Sequence, residues 1–488
     1  MKRCNFFFNK LRCNNIRGRT VKAIIWGIGK EYKKRKEELC SSCNIIAYTD
    51  NDYMLWGTSV DGVGVIAPDS ISKYRYDVII ICTTKYRFEI RNQLLEMGIS
   101  VKKVAFIDYY LLRSKRGEIT YLNDSVIEGK RKKSVLIVTT DMNYNGGTLA
   151  AVYAAQALIS RSYKVLMIAP SVNVRLQKEM VSRGIPLAIV PALLNPGEDE
   201  LEISKKYDAV IVNVYQNIIP ACEYSKLRPT LWWIHESRKL IDITNNEFAM
   251  YAQKSRFEEL NVKAVCKNVR ENMLSVWSDL EIGIMSYGIP DFFVEQKNAV
   301  HEKKIVFAVV GHIEYRKGQD IFAKAVKEYN KICTVGAEFW IIGSNEGDFF
   351  SNVMSIAQNT DNIYYKGELS REELEKIYPD IDAVVCTSRQ EGMPIVVNEG
   401  LMNRKVCIVA DTAGDNDKIE EGINGFFFHG ENIEELAQKM KYVAEHFAEL
   451  DSVRDHARKT YLENYSLDAF ADRLEDAVDE TIRTYKSK

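Results

Sequence analysis

The sequence has no long apolar run, although 46% of its 488 residues are hydrophobic. A membrane-spanning helix needs about 18 to 20 consecutive apolar residues, and no stretch of the chain approaches that length. The apolar part of the N-terminus, residues 6–8, is also too short for the core of a signal peptide. A protein with a transmembrane helix or a cleaved signal sequence is therefore not expected.

The sequence also lacks an excess of positive or negative charge and a cysteine pattern typical of a disulfide-bonded protein. The 66 Lys and Arg residues against 67 Asp and Glu residues give a net charge of −1, so nothing points to a nucleic-acid partner. The ten cysteines are scattered over the whole chain, which favours a reducing cytoplasm over secretion. Cys40 and Cys43 form a CxxC pair, but no second Cys pair follows at zinc spacing, so two ordinary thiols are the better interpretation and neither a metal nor a bound cofactor is expected.

One local excess of charge lies in residues 1–19, which carry six Lys and Arg residues, no acid, and three phenylalanines among them. A basic segment with aromatic residues is typical of peripheral contact with an anionic membrane, here the inner face of the plasma membrane. A solvated, disordered leader has the same composition. Both interpretations stay open from the sequence.

The length predicts about three domains, and the pattern of strands and helices divides the chain accordingly. The predicted parts are a leader (1–19), a Rossmann-like accessory domain (20–127), a basic linker (128–133), two larger α/β domains (134–292 and 303–465) and a C-terminal helix (466–488).

The accessory domain has part of a dinucleotide-binding pattern. Gly27 and Gly29 follow a predicted strand, and Asp50 ends the next strand about twenty residues later. Tyr32 stands where a third glycine is usual, so the pattern is incomplete. These three residues are a candidate nucleotide site; the alternative is a Rossmann-shaped domain whose glycines only make a tight turn.

Strands and helices alternate through both larger domains, which predicts two doubly wound α/β domains with a cleft between them. The candidate site residues follow predicted strands: Gly146-Gly147, His235, Lys317 and Glu391. Carboxyl ends of parallel strands share one edge, so we expect these residues to meet across the cleft. Taken alone, His235 is at least as typical of a structural histidine as of a catalytic one. Lys317 alone is at least as typical of a solvated surface lysine as of a phosphate-binding one.

Two carboxylates, Glu391 and Glu399, flank a predicted helix start between the strands at 383–386 and 406–410. Pro394 suits the first helical position, and the neighbouring amides of Gly392 and Met393 would form an anion site. Glu399 lies on an otherwise apolar helix, and a buried acid needs a donor such as a ribose hydroxyl. The pattern favours binding of a nucleotide-sugar.

Several of these motifs, taken together and in order, resemble those of a known enzyme family. The two larger domains, about 350 residues, resemble the GT-B glycosyltransferases, specifically the retaining family 4 (glycosyl transferases group 1). The motifs that carry it are Gly146-Gly147, Trp233-Ile234-His235-Glu236, Tyr287-Gly288-Ile289-Pro290, Arg316-Lys317-Gly318, Glu391-x7-Glu399, Asp411-Thr412-Ala413-Gly414 and Gly422-Ile423-Asn424-Gly425. The accessory domain resembles the small Rossmann-like domains that precede some bacterial cell-surface sugar-modifying enzymes.

The resemblance implies roles for these residues. His235 and Glu391 would be the catalytic pair, contacting the transferred sugar. Lys317 would hold the donor diphosphate, and Glu399 would bind the ribose. The remaining donor-binding residues would be Gly146, Gly147, Arg316, Gly392, Met393 and Pro394. The C-terminal helix would cross back onto the first of the two domains.

One departure from the family is His312, which stands where an arginine often follows the strand-end glycine; Arg316 is the candidate replacement. The implied reaction transfers a hexose from UDP- or GDP-hexose to a glycan or lipid-linked glycan hydroxyl with retention and without a metal, in cell-surface polysaccharide or glycolipid assembly. Open alternatives are a nucleotide-sugar 2-epimerase, a phosphorylase with a pyridoxal-bearing lysine, and a non-catalytic nucleotide-sugar-binding partner.

Overall fold

The computed structural model describes residues 21–100, 103–114, 118–122, 133–194, 196–248, 254–295, 304–344, 347–414 and 417–486. The leader and the linker, except for Lys133, lie outside these described residues. The predictions for a membrane-binding leader and a basic linker therefore stay predictions. Within the described residues, no helix combines the length and apolar character that crossing a membrane requires.

The first sheet has six strands in the order β3-β4-β2-β1-β5-β6. Its strands are β1 (Lys22–Trp26), β2 (Asn44–Thr49), β3 (Ser59–Val60), β4 (Val63–Ile66), β5 (Val78–Ile81) and β6 (Val104–Phe106). Its helices are α1 (Lys30–Ser42), α2 (Arg87–Glu96) and α3 (Ile107–Ser114). The strands pair in parallel except for the β3–β4 hairpin, and two separate apolar clusters cover the two faces of the sheet.

The second sheet has eight strands in the order β14-β13-β12-β11-β8-β9-β10-β7. Its strands are β7 (Thr120–Tyr121), β8 (Ser134–Val138), β9 (Lys164–Ala169), β10 (Leu187–Ile189), β11 (Ala209–Asn213), β12 (Thr230–Ile234), β13 (Leu260–Ala264) and β14 (Ile282–Ile284). Its helices are α4 (Gly146–Ser160), α5 (Val174–Ser182), α6 (Glu198–Ser204), α7 (Ile218–Ser225), α8 (Arg238–Phe248) and α9 (Lys267–Leu274). Strand β7 lies within the predicted accessory domain but pairs antiparallel with β10 of this sheet.

The third sheet has six parallel strands in the order β17-β16-β15-β18-β19-β20. Its strands are β15 (Ile305–Val310), β16 (Ala337–Ile342), β17 (Ile363–Gly367), β18 (Ala383–Cys386), β19 (Val406–Ala410) and β20 (Phe426–Phe428). The helices that follow in the chain are α10 (Gln319–Ile332), α11 (Gly347–Gln358), α12 (Arg371–Ile377), α13 (Ile395–Met402), α14 (Ile433–His446), α15 (Asp451–Thr460) and α16 (Leu467–Lys486). The α/β fold class predicted from the sequence is confirmed.

Helix α16 follows the third sheet in the chain but packs on the second. Phe470 is fully buried, and its ring stacks on Trp233 of β12 with centroids 5.6 Å apart. Arg161, just after α4, donates to Asp472 at 2.7 Å, and Lys263 of β13 pairs with Glu480 at 2.7 Å. One apolar cluster runs through both sheets and α16, so the two larger domains share a core.

Candidate functional site

The second and third sheets meet at Gly392, in the loop between β18 and α13. A Cβ atom added to Gly392 would lie 2.5 Å from the carbonyl oxygen of His235, so only glycine fits this contact. The thiol of Cys266 donates to the Gly392 carbonyl at 3.1 Å, and the Tyr287 hydroxyl donates to the Met393 carbonyl at 2.9 Å. The end of β12 and the Glu391 loop therefore face each other across the domain contact, as the sequence predicted.

Two cations converge on Glu391 at this edge of the third sheet. Its Oε2 accepts from Lys317 Nζ at 2.5 Å and from Arg316 Nη1 at 2.9 Å. Burial acts to raise the pKa of Glu391, but the charges of Lys317 and Arg316 outweigh burial and hold the pKa below its usual value. The carboxylate stays ionised, and it is shared by two cations that could equally bind phosphate oxygens.

A short 3₁₀ turn, Tyr315–Lys317, presents both cations. It ends at Gly318, whose φ of 70° is left-handed and whose added Cβ would lie 2.2 Å from the Thr387 carbonyl oxygen. Arg389 holds the turn from the other side, because its backbone N–H donates to the Arg316 carbonyl at 2.8 Å and its Nη1 donates to the Tyr315 carbonyl at 2.7 Å. The loop is thus fixed at both ends.

His312 and Arg316 occupy different places in this loop. The exposed His312 has its Nδ1 2.5 Å from the Ser344 hydroxyl, whereas the Arg316 guanidinium contacts Glu391 and Glu314 beside Lys317. Arg316 is therefore the second cation at the site. That it replaces the family arginine in binding a donor stays a prediction.

Glu399 lies on α13 with its side chain almost fully buried. Its Oε2 accepts from the Tyr378 hydroxyl at 2.7 Å, and its Oε1 accepts from Arg371 Nη1. The donors that a buried carboxylate needs are thus supplied by the chain itself, so burial of Glu399 does not by itself indicate a ribose. The ribose-binding role stays a prediction.

His235 follows β12, and its ring lies against Trp233 with centroids 4.4 Å apart. Burial lowers the pKa of His235 to about 3, so the imidazole is neutral at ordinary pH. Its Nε2 is buried and has no hydrogen-bond partner within the part of the chain that the structure describes. A neutral ring with a free nitrogen can bond a sugar hydroxyl but cannot act as a cation.

Glu236, next to His235, is a buried acid to which the sequence assigned no separate role. Its Oε2 accepts from the backbone N–H groups of Tyr215 and His235, both at 2.9 Å. Burial raises the pKa of Glu236 to about 7 in spite of these bonds. The carboxylate ties the end of β12 to the loop after β11.

Gly146 and Gly147 begin α4, as predicted, with the Asn145 side chain capping the helix by accepting from the Thr148 N–H at 2.9 Å. A Cβ atom at Gly147 would lie 2.9 Å from Cγ1 of Val214, whose φ of 67° is unusual for a β-branched residue. The Asn213 side chain also donates to the Gly147 carbonyl at 2.9 Å. The two glycines thus contact the loop after β11, and their role in donor binding stays a prediction.

Pro394 does not occupy the first helical position that was predicted for it. It is the N-cap residue, with φ of −75° and ψ of 110°, and α13 begins at Ile395. The extended ψ places the proline just before the first turn. The loop 391–394 is therefore one residue longer than expected.

The accessory residues follow strands β1 and β2 of the first sheet. Gly27 has a φ of 96°, and the Asp50 carboxylate accepts from the Ile28 N–H at 3.3 Å. Among the described residues, nothing lies within 4 Å of a Cβ atom added to Gly29. The turn and the acid are adjacent, as the pattern predicted, and nucleotide binding here stays a prediction.

Known protein families match three separate stretches of the chain. Residues 291–460 match the family described as "Glycosyl transferases group 1", and residues 131–258 match "Glycosyl-transferase family 4". These two matches cover the third sheet and strands β8 to β12 of the second sheet. The chain belongs to the group 1, family 4 glycosyltransferases. Residues 19–105 match the family described as "C2185-like, N-terminal".

Curated relatives of this group 1 chain are distant. A poly(ribitol-phosphate) alpha-N-acetylglucosaminyltransferase from Staphylococcus aureus is 22% identical over 281 residues, 55% of this chain and 50% of the relative. An uncharacterised 41.2 kDa protein in the cps region of Klebsiella pneumoniae is 23% identical over 192 residues, 39% of this chain and 49% of that protein. The chain thus spans about half the length of the curated relatives that it matches.

Solved structures resemble the two larger domains over nearly their whole length. A glycosyltransferase from Rickettsia africae has a TM-score of 0.61 and 18% identity, with 72% of this chain and 99% of that chain covered. Anabaena HepE in complex with UDP and glucose has a TM-score of 0.58 and 12% identity, with 72% and 100% covered. At these identities the likeness establishes the GT-B fold of the family 4 chain.

Arg371 and Tyr378 are contacts of the site that the sequence analysis missed. Arg371 stands 28 positions before its partner Glu399, on a different helix. No local pattern links residues so far apart. The polar network around Glu399 therefore became visible only in the structure.

Proposed function

We propose that this chain is a retaining glycosyltransferase that moves a hexose from UDP- or GDP-hexose to a hydroxyl of a glycan or lipid-linked glycan. The observation that carries this proposal is the pair of cations, Lys317 and Arg316, that converges on Glu391 beside the Gly392–His235 contact. Binding of UDP and glucose by Anabaena HepE, which has the same fold, supports the donor class. The S. aureus relative's name supports a role in cell-surface polymer assembly.

In the proposed reaction the bond between the anomeric carbon and the diphosphate oxygen breaks, and a bond from that carbon to the acceptor oxygen forms on the same face. The acceptor proton passes to the departing diphosphate. Lys317, Arg316 and the amides of the loop from Gly392 to Pro394 would stabilise the charge on that leaving group, because fixed donors need no rearrangement during reaction. No metal ion has a part in this scheme.

The two catalytic residues of the proposal contact the sugar from opposite domains. Neutral His235 would bond a sugar hydroxyl through its buried Nε2, which has no partner among the described residues. Glu391 would accept from the sugar hydroxyls once phosphate oxygens take over its cations. Gly146 and Gly147 would allow the donor to approach the start of α4, and Glu399 would bind the ribose.

The test is donor turnover by Lys317→Ala and Glu399→Ala with separated acceptor candidates. We expect each variant to lose at least about 100-fold in turnover, comparable to the loss of one preorganised donor to a transition-state charge. Lys331→Ala is the matched control, because Lys331 is exposed on α10 and pairs with Glu328 one turn away on the same helix. Full turnover by both site variants would refute the assignment, and a donor epimerised without acceptor would identify an epimerase instead.

A further inference from the structure

The backbone at Val214, directly after β11, is strained. Its φ is 67° and its ψ is 154°, a combination found almost only in glycine because a Cβ atom collides with the main chain there. A branched side chain such as that of valine is especially unfavourable at a positive φ. Residues in such conformations persist only where surrounding contacts enforce them, and they are concentrated at functional sites.

Strand β12 holds Val214 in this conformation through the main chain. The Val214 N–H donates to the Trp233 carbonyl at 2.8 Å, and the Trp232 indole N–H donates to the Val214 carbonyl at 3.0 Å. Both tryptophan side chains are fully buried. Relaxation of Val214 would break two hydrogen bonds inside the core, so these bonds offset the cost of the strain.

The Val214 side chain and the residue before it contact the start of α4. Cγ1 of Val214 would lie 2.9 Å from a Cβ atom added to Gly147, so the isopropyl group packs directly on the Gly147 backbone. The fully buried Asn213 side chain donates to the Gly147 carbonyl at 2.9 Å and to the Thr139 hydroxyl at 3.1 Å. Gly147 is therefore fixed by two consecutive residues of one loop.

The residue after Val214 is bonded to the end of β12. The Tyr215 N–H donates to Glu236 Oε2 at 2.9 Å, and the same oxygen accepts from the His235 N–H at 2.9 Å. The strained residue thus lies between the bonds that fix Gly147 and the bonds that fix His235. A different backbone conformation at Val214 would turn the chain at this point and move the two sets of bonds relative to each other.

We infer that Val214 is a positioning residue, whose enforced backbone and branched side chain set the spacing between Gly147 at the start of α4 and His235 at the end of β12. This inference rests on the proposed function, which places both of these elements against the donor. It adds that turnover depends on Val214, whereas nucleotide binding, for which the third sheet would supply the groups, does not.

The experiment compares Val214→Ala, Val214→Gly and Val214→Thr in the full chain. Alanine and glycine remove the contact with Gly147, so turnover of the nucleotide-sugar should fall at least about 10-fold, because a misplacement of about 1 Å is enough for larger losses. Threonine keeps the branched shape, at some loss of stability, and should retain turnover within about 3-fold. The dissociation constant of UDP or GDP, measured by calorimetry, should stay within about 2-fold in all three variants, since a shift of the Gly147 loop leaves the third sheet in place.

Melting temperatures separate the strain from the side-chain contact. Glycine in place of alanine normally destabilises a folded chain, but at this φ glycine has no Cβ atom to collide. Val214→Gly should therefore melt about 2 °C or more above Val214→Ala. Ser162→Gly is the matched control for turnover, because Ser162 also has a left-handed φ, of 66°. It lies beyond the far end of α4, about 20 Å from the start of that helix, so turnover should not change.

A second pair of changes tests the contact between the two residues directly. Gly147→Ala adds the methyl carbon that would lie 2.9 Å from Val214 Cγ1, and it should reduce turnover. Val214→Gly removes the colliding group, so the double variant should lose less turnover than the product of the two single losses. Losses that simply multiply would show that the residues act independently and would overturn the inference.

Full turnover by both Val214→Ala and Val214→Gly would overturn the inference while the proposed function stands. So would a parallel loss of nucleotide binding and turnover, since Val214 would then be only structural, or a Val214→Gly chain that melts below Val214→Ala. A wild-type chain that neither binds UDP or GDP nor turns over a nucleotide-sugar would instead overturn the proposed function, and this inference with it.

Discussion

At the scale of single residues, Glu391 and a diphosphate would compete for the same cations. Lys317 Nζ and Arg316 Nη1 both donate to Glu391 Oε2, at 2.5 and 2.9 Å. A phosphate that binds these cations must displace the carboxylate or share the cations with it. In the proposed reaction the carboxylate would thus lower the affinity of the site for diphosphate and would provide an acceptor for sugar hydroxyls.

Glu391→Gln is therefore expected to change binding and turnover in opposite directions. The neutral amide repels phosphate less, so UDP or GDP should bind about 3- to 10-fold more tightly. Turnover should fall about 100-fold or more, because the charged acceptor near the sugar is lost. Calorimetry and single-turnover kinetics measure the two effects, and weaker nucleotide binding would contradict the competition between Glu391 and phosphate.

A second residue-scale prediction concerns Glu236 and pH. Burial raises its pKa from about 4.5 to about 7 in the folded protein. The folded state thus holds this proton more tightly than the unfolded state, so its contribution is complete below pH 4.5 and is lost as pH rises towards 7. Relative to Glu236→Gln, the wild-type chain should lose about 1 to 3 kcal/mol of unfolding free energy between pH 4.5 and pH 8.

Urea denaturation at several pH values measures this difference. The glutamine oxygen can still accept from the N–H groups of Tyr215 and His235, so the variant keeps the local geometry. Glu202→Gln, on the surface of the same domain, is the control and should show no such trend. A constant difference between wild type and Glu236→Gln at all pH values would contradict the prediction.

At the scale of helices and strands, the sequence predicts what short apolar patterns encode. Strands β18 and β19 lie at the predicted residues because each is a continuous buried run bounded by polar residues. The predicted start of α13 was wrong by one residue, because a proline such as Pro394 suits both the N-cap position and the first turn of a helix. Strand β7 was not predicted, and it pairs with β10 of the second sheet although it lies within the predicted accessory domain, because two residues at a sheet edge carry no periodicity.

Contacts between elements explain what the sequence analysis missed at the site. The pairing of Arg371 with Glu399 joins α12 to α13, and that of Glu236 with the Tyr215 N–H joins two loops of the second sheet. Spacing along the chain does not predict such contacts, because they depend on how helices and loops pack. Shared sheet edges, in contrast, were predictable and brought His235 and Glu391 to the same contact.

The approach of the two loops at Gly392 leads to a prediction at this scale. Gly392→Ala places a methyl group where the His235 carbonyl lies 2.5 Å away, so the loops must separate. We expect turnover to fall about 100-fold, because a misplacement of about 1 Å is enough for such a loss. Gly64→Ala, at an exposed glycine with open space around it, is the control for turnover measured in parallel. Normal turnover of Gly392→Ala would show that the contact is not needed for reaction.

At the scale of the whole molecule, the cores divide the chain into two parts. One apolar cluster runs through the second and third sheets and joins them, although the third sheet has one further cluster, whereas the two clusters of the first sheet are separate from both. Domains with separate cores can unfold separately, and elements that share a core unfold together. The full chain should therefore show two thermal transitions, one for the first sheet and one for the rest.

Two phenylalanine variants test this division by calorimetry. Phe470→Ala removes a buried ring of α16 from the shared core. It should lower the unfolding free energy of the two larger domains by about 3 to 5 kcal/mol, and so shift only their transition to a lower temperature. Phe106→Ala removes a buried ring of the first sheet and should lower only the other transition. A single transition that both variants shift equally would show that the three sheets unfold as one unit.

The reactivity of the Cys266 thiol can be used to measure how often the two larger domains separate at their contact. Cys266 is buried, and its sulfur lies 3.1 Å from the Gly392 carbonyl of the facing domain. An alkylating reagent can reach it only when that contact separates, whereas the exposed Cys40 reacts at once. The alkylation rate of the Cys266 peptide, followed by mass spectrometry, would therefore count how often the cleft opens, and a nucleotide that closes the cleft would slow that rate.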